Sequence, residues 1–148
     1  MHVCLHQPER RVLISGDHLL GRVSLYFDFG YTPDPVGEFL TSLDRVELLD
    51  ARLALSGHGR TFADVAAHIV ANRTLVAQRL GAVLHVLGER GPITAFDAVP
   101  HLYGEQISPA TANWWLTETL CYLRHLEVTG RVRRVQHDDQ APEAWALV

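Results

Sequence analysis

Two short apolar segments, each ending in glycine and then a residue type that can bind a metal, constrain this chain most strongly. Val12–Gly16 is followed by Asp17, and Leu53–Gly57 is followed by His58. Short apolar runs that end at glycine are typical of buried strands, and glycine allows a sharp turn after each one. Carboxylates and imidazoles at neighbouring strand ends are metal ligands. One interpretation is therefore that Asp17 and His58 meet at a metal site; the alternative is two ordinary turns, with an Asp cap and a surface His.

Two motifs and the segment between them resemble the C-terminal half of metallo-β-lactamase-fold hydrolases. The motifs are LISGDHLL and LSGHG, and the intervening DPVGEFLTSLDRVELLDARLAL looks like the helix that joins them in that superfamily. The resemblance covers essentially the whole chain, because the remainder resembles the winged-helix tail of the glyoxalase II-like and endoribonuclease-like subgroup. It implies an α/β (α+β) fold, in which the C-terminal half of a metallo-β-lactamase αββα sandwich precedes a winged helix-turn-helix domain.

The resemblance also implies roles for particular residues. In that family the Asp after the Ser-Gly strand bridges two zinc ions and orients the attacking hydroxide, and the His of Gly-His-Gly binds the second zinc. By match, these residues are Asp17 and His58. His18 follows the bridging position and Tyr26 lies in an aromatic loop, so both are candidates for a substrate pocket; the alternatives are a surface residue and a loop that packs on its own domain.

One departure from the family limits what the chain can do alone. The family also uses a His-x-His-x-Asp-His cluster and a further His in a Gly-His-Thr-Pro-Gly-like turn, and neither occurs here; His2 matches a residue after that turn. Two ligands are too few for a catalytic zinc, which takes at least three from the protein. We expect the C-terminal portion of a zinc-dependent hydrolase of thioesters, esters, lactams or phosphodiesters, inactive on its own. The alternative is a non-enzymatic winged-helix module, for interaction or nucleic-acid binding, that carries a degenerate hydrolase half.

The resemblance, together with the pattern of apolar residues and chain breakers, predicts three segments. These are a partial metallo-β-lactamase half over 1–60, connecting helices over 61–90, and a winged-helix-like domain over 91–148 that begins at Gly91-Pro92. The predicted elements are an antiparallel hairpin of strands 2–6 and 11–15, a helix from Pro35, a strand over 52–55, helices in two pieces over 61–88, a short helix over 94–102, a long helix from Ser108 to Thr129, and strands over 131–136 and 144–147.

Charge and composition narrow the expected partners. The net charge is −4, and from Gly91 onward four arginines stand against seven acidic residues, which gives −3. Phosphate binding needs a basic surface, so duplex DNA is not an expected partner, although the Arg131, Arg133 and Arg134 cluster could touch a nucleic-acid backbone. No apolar run reaches the roughly 20 residues of a membrane span. For the parent enzyme, the family resemblance implies a small-molecule or RNA substrate.

Two further expectations concern location and assembly. Cys4 and Cys121 lack any metal-binding spacing and indicate two free thiols in a reducing cytoplasm. The parent fold that the resemblance implies is a sandwich of two sheets, and half of it would leave one apolar sheet face uncovered. We therefore expect the chain to self-associate through that face.

Overall fold

A computed structural model describes residues 3–104, 107–135 and 142–148. Over these residues the chain alternates strands and helices, as expected for a mixed α/β protein. In chain order the elements are β1 Leu5–Gln7, β2 Val12–Gly16, α1 Pro35–Glu47, β3 Leu53–Ser56, β4 Phe62–Ala63, α2 Val65–Arg90, β5 Ile93–Thr94, α3 Ala95–Tyr103, α4 Ala112–Val128, β6 Val132–Val135 and β7 Ala144–Leu147. Within this described part, no helix is long and apolar enough to cross a membrane.

The first sheet has the order β1-β2-β3-β4. The predicted antiparallel hairpin is confirmed, because β1 pairs antiparallel with β2, and Leu5 lies opposite Ile14. β3 lies parallel to β2, with Leu13 opposite Ala54, and β4 pairs antiparallel with β3. The predicted first strand began at His2, which lies outside the described residues.

The core under this sheet comes from alternate strand residues and from the apolar stripes of two helices. Leu13 and Ala54 point to the same side and are fully buried, and they pack with residues of α1 and α2. The cluster consists of Leu13, Leu19, Leu43, Val46, Ala54, Phe62, Val65 and Ile69. Burying a large aliphatic side chain of this kind contributes about 1.5–3 kcal/mol, so this cluster stabilises the packing of β2 and β3 on α1 and α2.

The segment 61–90 differs from the prediction of two helical pieces. Phe62 and Ala63 extend the sheet as β4, and a single helix follows. Asp64 starts that helix, since its Oδ1 accepts the N–H of Ala67 at 3.1 Å. Gly81 lies inside the helix without breaking it, because the buried side chains on either side, such as Val76 and Val83, hold the helix through this point.

The chain divides into two compact units whose limits differ from the predicted domain limits. The first comprises the residues up to Leu25 together with Glu38–Leu75, and the second comprises Tyr26–Gly37 and Val76–Val148. The predicted connecting segment thus consists of β4 and one helix, α2, which contributes residues to both units, and the aromatic loop that follows Leu25 belongs with the second unit.

The second unit contains α3, α4 and a three-stranded sheet of order β5-β7-β6. Thr94 caps α3 by accepting the N–H of Asp97 at 3.1 Å, so the helix begins at Ala95, one residue after the predicted start. The long helix begins later than predicted, because Thr111 Oγ1 accepts the N–H of Ser108 at 2.9 Å and turns the chain first. The predicted hairpin strands are present, while its turn over 137–140 lies outside the described residues. The order helix, helix, hairpin is observed; the winged-helix class stays a prediction.

Candidate metal site

Two parallel strands deliver the candidate ligands to one edge of the first sheet. β2 and β3 are neighbours and run in the same direction, so their carboxyl ends lie together; in open α/β sheets this is the edge at which ligands bind. The register shifts between Ile14 and Gly16, and the N–H of Gly57 then donates to the carbonyl of Gly16 at 2.7 Å. This bond ties the two chain segments together just before Asp17 and His58.

Asp17 and His58 are in direct contact at this edge. His58 Nδ1 lies 2.6 Å from Asp17 Oδ1, and the side chains are 78% and 40% exposed. An exposed side-chain contact of this kind adds little to stability. The contact holds the imidazole and the carboxylate together. It uses Nδ1 of His58 and leaves Nε2 available to bind a ligand. The structure thus brings the two residues together; their role as metal ligands stays a prediction.

Glycine at position 57 permits this contact. A Cβ built on Gly57 would lie 2.5 Å from Asp17 Oδ1, a distance that real Cβ atoms essentially never show, and 3.1 Å from the carbonyl carbon of Gly16. Gly16 itself has a φ of +53°, a left-handed conformation that glycine adopts without strain. The close approach of the two loops therefore explains why each motif has glycine after serine.

The serines of the two motifs organise the loops that follow them, a role that sequence reasoning missed. Ser15 is fully buried, and its hydroxyl donates to the carbonyl of Leu19 at 2.7 Å. Ser56 donates to the carbonyl of His58 at 2.8 Å and lies 3.1 Å from that of Arg60. A serine immediately before a strand-ending glycine is the sequence signal that could have indicated this role, since its hydroxyl can satisfy loop carbonyls.

The two candidates for a substrate pocket have separate surroundings. His18 is half-buried against α1, where Nε2 lies 3.2 Å from Ser42 Oγ and the ring meets Phe39 edge-on at 5.3 Å. Tyr26 belongs to the second unit, is 63% exposed and contacts Trp114 edge-on at 6.0 Å. A hydrogen bond to Asp28 raises the pKa of the Tyr26 hydroxyl. Their proposed contact with substrate stays a prediction.

The described residues do not make a complete zinc site. Across 3–104, 107–135 and 142–148, no group of three or more His, Cys, Asp or Glu side chains is placed to hold a metal ion. Zinc binds the thiolate form of cysteine, and burial raises the pKa of Cys4 and raises that of Cys121 to about 12. Asp17 and His58 therefore fit part of the family's ligand set, and the minimum of three protein ligands is not reached among these residues.

Comparison with known proteins identifies the fold. No family model matches the sequence, and no curated protein matches it. A β-lactamase domain protein from Burkholderia ambifaria is 30% identical with a TM-score of 0.87, and the match covers 98% of this chain and 44% of that one. A metallo-β-lactamase family protein from Thermus thermophilus is 32% identical with a TM-score of 0.83, over the same two shares.

The fold is that of metallo-β-lactamase family proteins. The chain spans less than half the length of each of these two relatives. The resemblance predicted from LISGDHLL and LSGHG is confirmed at this level. The C-terminal position within the parent, the glyoxalase II-like subgroup and the winged-helix class stay predictions.

Proposed function

We propose that this chain contributes Asp17 and His58 to the zinc site of a metallo-hydrolase. The observation that carries the proposal is the 2.6 Å contact between these side chains, at the carboxyl ends of two parallel strands in a fold shared with metallo-β-lactamase family proteins. Zinc in such a site supplies Lewis acidity and an activated hydroxide. Asp17 would bridge the metals and orient that hydroxide, and His58 would complete the second metal position. Thioesters, other esters, lactams and phosphodiesters are the candidate substrates, with RNA among the last.

We infer further that the chain by itself is inactive as a hydrolase. Two protein ligands hold zinc weakly and leave its charge exposed to water, whereas catalytic sites take at least three. Activity would need further ligands beyond the pair observed at this sheet edge. The free state of both cysteines agrees with our proposal that the protein acts in the cytoplasm.

The second unit supports one alternative, a non-enzymatic interaction module of the winged-helix type. The observation in its favour is that α3, α4 and the β6–β7 hairpin follow one another as such a module requires. Its basic cluster is weak as a nucleic-acid surface, because Glu127 and Glu143 offset the positive charge of Arg134 and affinity for a nucleic-acid backbone depends on that charge. Protein contact is therefore the more favoured use of this module, and duplex DNA is not an expected ligand.

A metal titration with matched variants tests the main proposal. The chain is purified without chelators, its zinc content is measured by elemental analysis, and zinc is then titrated by calorimetry. We expect weak binding that is lost in both Asp17→Ala and His58→Ala. His85→Ala is the control, because His85 is a similarly exposed histidine on α2, and it should bind as the unaltered chain does. Equal binding by His58→Ala and the unaltered chain would show that these residues are not the ligands.

A further inference from the structure

The second unit contains an open cleft between an aromatic loop and two arginines. Its volume is about 480 Å³, within the range of roughly 300–1,000 Å³ typical of small-molecule sites. The loop supplies one wall, α4 supplies Arg124 and β6 supplies Arg134. The lining residues are Phe29, Gly30, Tyr31, Thr32, Pro33, Arg124 and Arg134.

Both guanidinium groups are held in place by contacts within the unit. Arg124 donates from Nε to the carbonyl of Pro33 at 2.9 Å and from a terminal nitrogen to Glu127 at 2.7 Å. Arg134 pairs with Glu127 through Nε at 3.0 Å and with Glu143 at 2.6 Å. A guanidinium has five N–H donors, more than these bonds use. The arginines are therefore pre-oriented and retain donors for a ligand.

The opposite wall of the cleft offers exposed aromatic surface. Tyr31 is 86% exposed and Phe29 is 40% exposed, so flat aromatic surface lies open beside the two cations. This wall therefore offers a packing surface for the ring of a ligand.

We propose that this cleft binds a small anion in which a carboxylate or phosphate is attached to an aromatic ring. The oxyanion would accept paired hydrogen bonds from Arg124 and Arg134, since the planar guanidinium fork matches both groups. The ring would pack on Tyr31 and Phe29 in an offset or edge-on arrangement. Glu127 and Glu143 offset the arginine charges, so binding depends on directed hydrogen bonds and on the ring together. The proposed anion site does not depend on the candidate metal site, because every residue that lines the cleft lies in the second unit.

Five simple compounds test this chemistry on the full chain. Benzoate and phenyl phosphate carry both recognised features, acetate and inorganic phosphate lack the ring, and benzyl alcohol lacks the charge. Binding is followed by amide chemical shifts in a titration to millimolar concentrations. We expect at least one ring-bearing anion to bind about tenfold or more tightly than its ring-free counterpart and benzyl alcohol, with shifts at the amides of residues 29–32. Which of the two anions binds then distinguishes a carboxylate from a phosphate ligand.

Variants with matched controls establish the location. Arg134→Lys keeps the charge but loses the fork, and Arg133→Lys makes the same change at an exposed neighbour outside the cleft. Tyr31→Ala removes the exposed ring, and Phe96→Ala removes a ring that is 73% exposed and outside the cleft. We expect about a tenfold loss of affinity in Arg134→Lys and Tyr31→Ala and none in the two controls. No saturable binding of either aromatic anion, or equal losses in variants and controls, would overturn the proposal.

Discussion

Gly57 is the single residue on which the geometry of the candidate metal site most depends. A methyl group there would overlap Asp17 Oδ1, so Gly57→Ala should displace the carboxylate from His58 and weaken zinc binding together with the folded state. Gly81→Ala is the control, because a Cβ there meets open space and alanine in a helix is favoured by up to about 1 kcal/mol over glycine. Zinc titration and urea unfolding of both variants make the comparison. Unchanged zinc binding in Gly57→Ala would contradict this account.

Glu118 is a buried carboxyl group in the second unit and should make stability depend on pH. It is 3% exposed and accepts the hydroxyl of Tyr122 at 2.7 Å. Burial raises the pKa of Glu118, and its contacts with Tyr122 and Arg79 offset part of that effect. An acid with a raised pKa in the folded state binds its proton more tightly there than when unfolded. Its contribution is therefore fully present below the ordinary glutamate pKa of about 4.3 and declines as the pH rises through the folded-state pKa.

The test of this pH dependence is Glu118→Gln, in which no proton can be released. The free energy of unfolding of the unaltered chain should fall relative to that of the variant as the pH rises from about 4 toward neutrality. Urea unfolding at a series of pH values measures both curves. Glu89→Gln is the control, since Glu89 is 62% exposed, and parallel curves for the unaltered chain and Glu118→Gln would disprove the assignment.

At the scale of elements, the start of α1 shows how a cap can outweigh helix propensity. Asp34 Oδ1 accepts the N–H of Gly37 at 2.9 Å, and His125 Nδ1 lies 3.0 Å from both Asp34 oxygens. A Cβ at Gly37 would overlap the Asp34 carboxylate. Gly37→Ala should therefore lower the free energy of unfolding by about 1 kcal/mol, because losing the cap and the histidine contact exceeds the gain in propensity.

Thermal or urea unfolding measures this effect, and Asp34→Ala serves as the reference. Asp34→Ala removes the same cap by another route and should destabilise by about 0.5–2 kcal/mol. Gly37→Ala is expected to act by displacing the Asp34 side chain. In a chain that already carries Asp34→Ala, adding Gly37→Ala should therefore not destabilise the fold further, and the higher helix propensity of alanine should recover part of the lost stability. A stabilised Gly37→Ala single variant would show that the carboxylate moves aside without loss.

The elements that were predicted correctly from the sequence have a clear apolar pattern or a helix-capping residue. α1 carries regular apolar spacing and β7 is a continuous apolar run, and both were placed correctly; the strand ends at Asp17 and His58 were predicted from their glycines. β4 and β5 contain two residues each, too few to show a period. Side-chain contacts formed by non-periodic loops, such as that of Tyr26 with Trp114, have no signal in spacing at all. Loops therefore mark the limit of prediction from one sequence.

At the scale of the whole chain, the first sheet exposes apolar side chains on the side away from its core. Leu13 and Ala54 are buried on one side, while their neighbours along the strands face the other. On that second side Leu5, Ile14 and Leu53 are 60%, 47% and 38% exposed. A strand that is apolar on both sides is typical of a sheet buried on both faces. The surface expected to mediate self-association is therefore formed by Leu5, Ile14 and Leu53.

We predict that the chain associates with a second copy through this surface. Sedimentation velocity at tens of micromolar should show a dimer or larger species, because covering exposed apolar area is favourable by about 25 cal/mol per Å². The double variant Leu5→Lys, Ile14→Lys should shift the chain toward monomer by placing charge on the face. Leu48→Lys is the control, since Leu48 is 86% exposed and lies outside the sheet, and it should associate as before. A clean monomer of the unaltered chain would disprove the prediction, and association that survives the double variant would assign it to another surface.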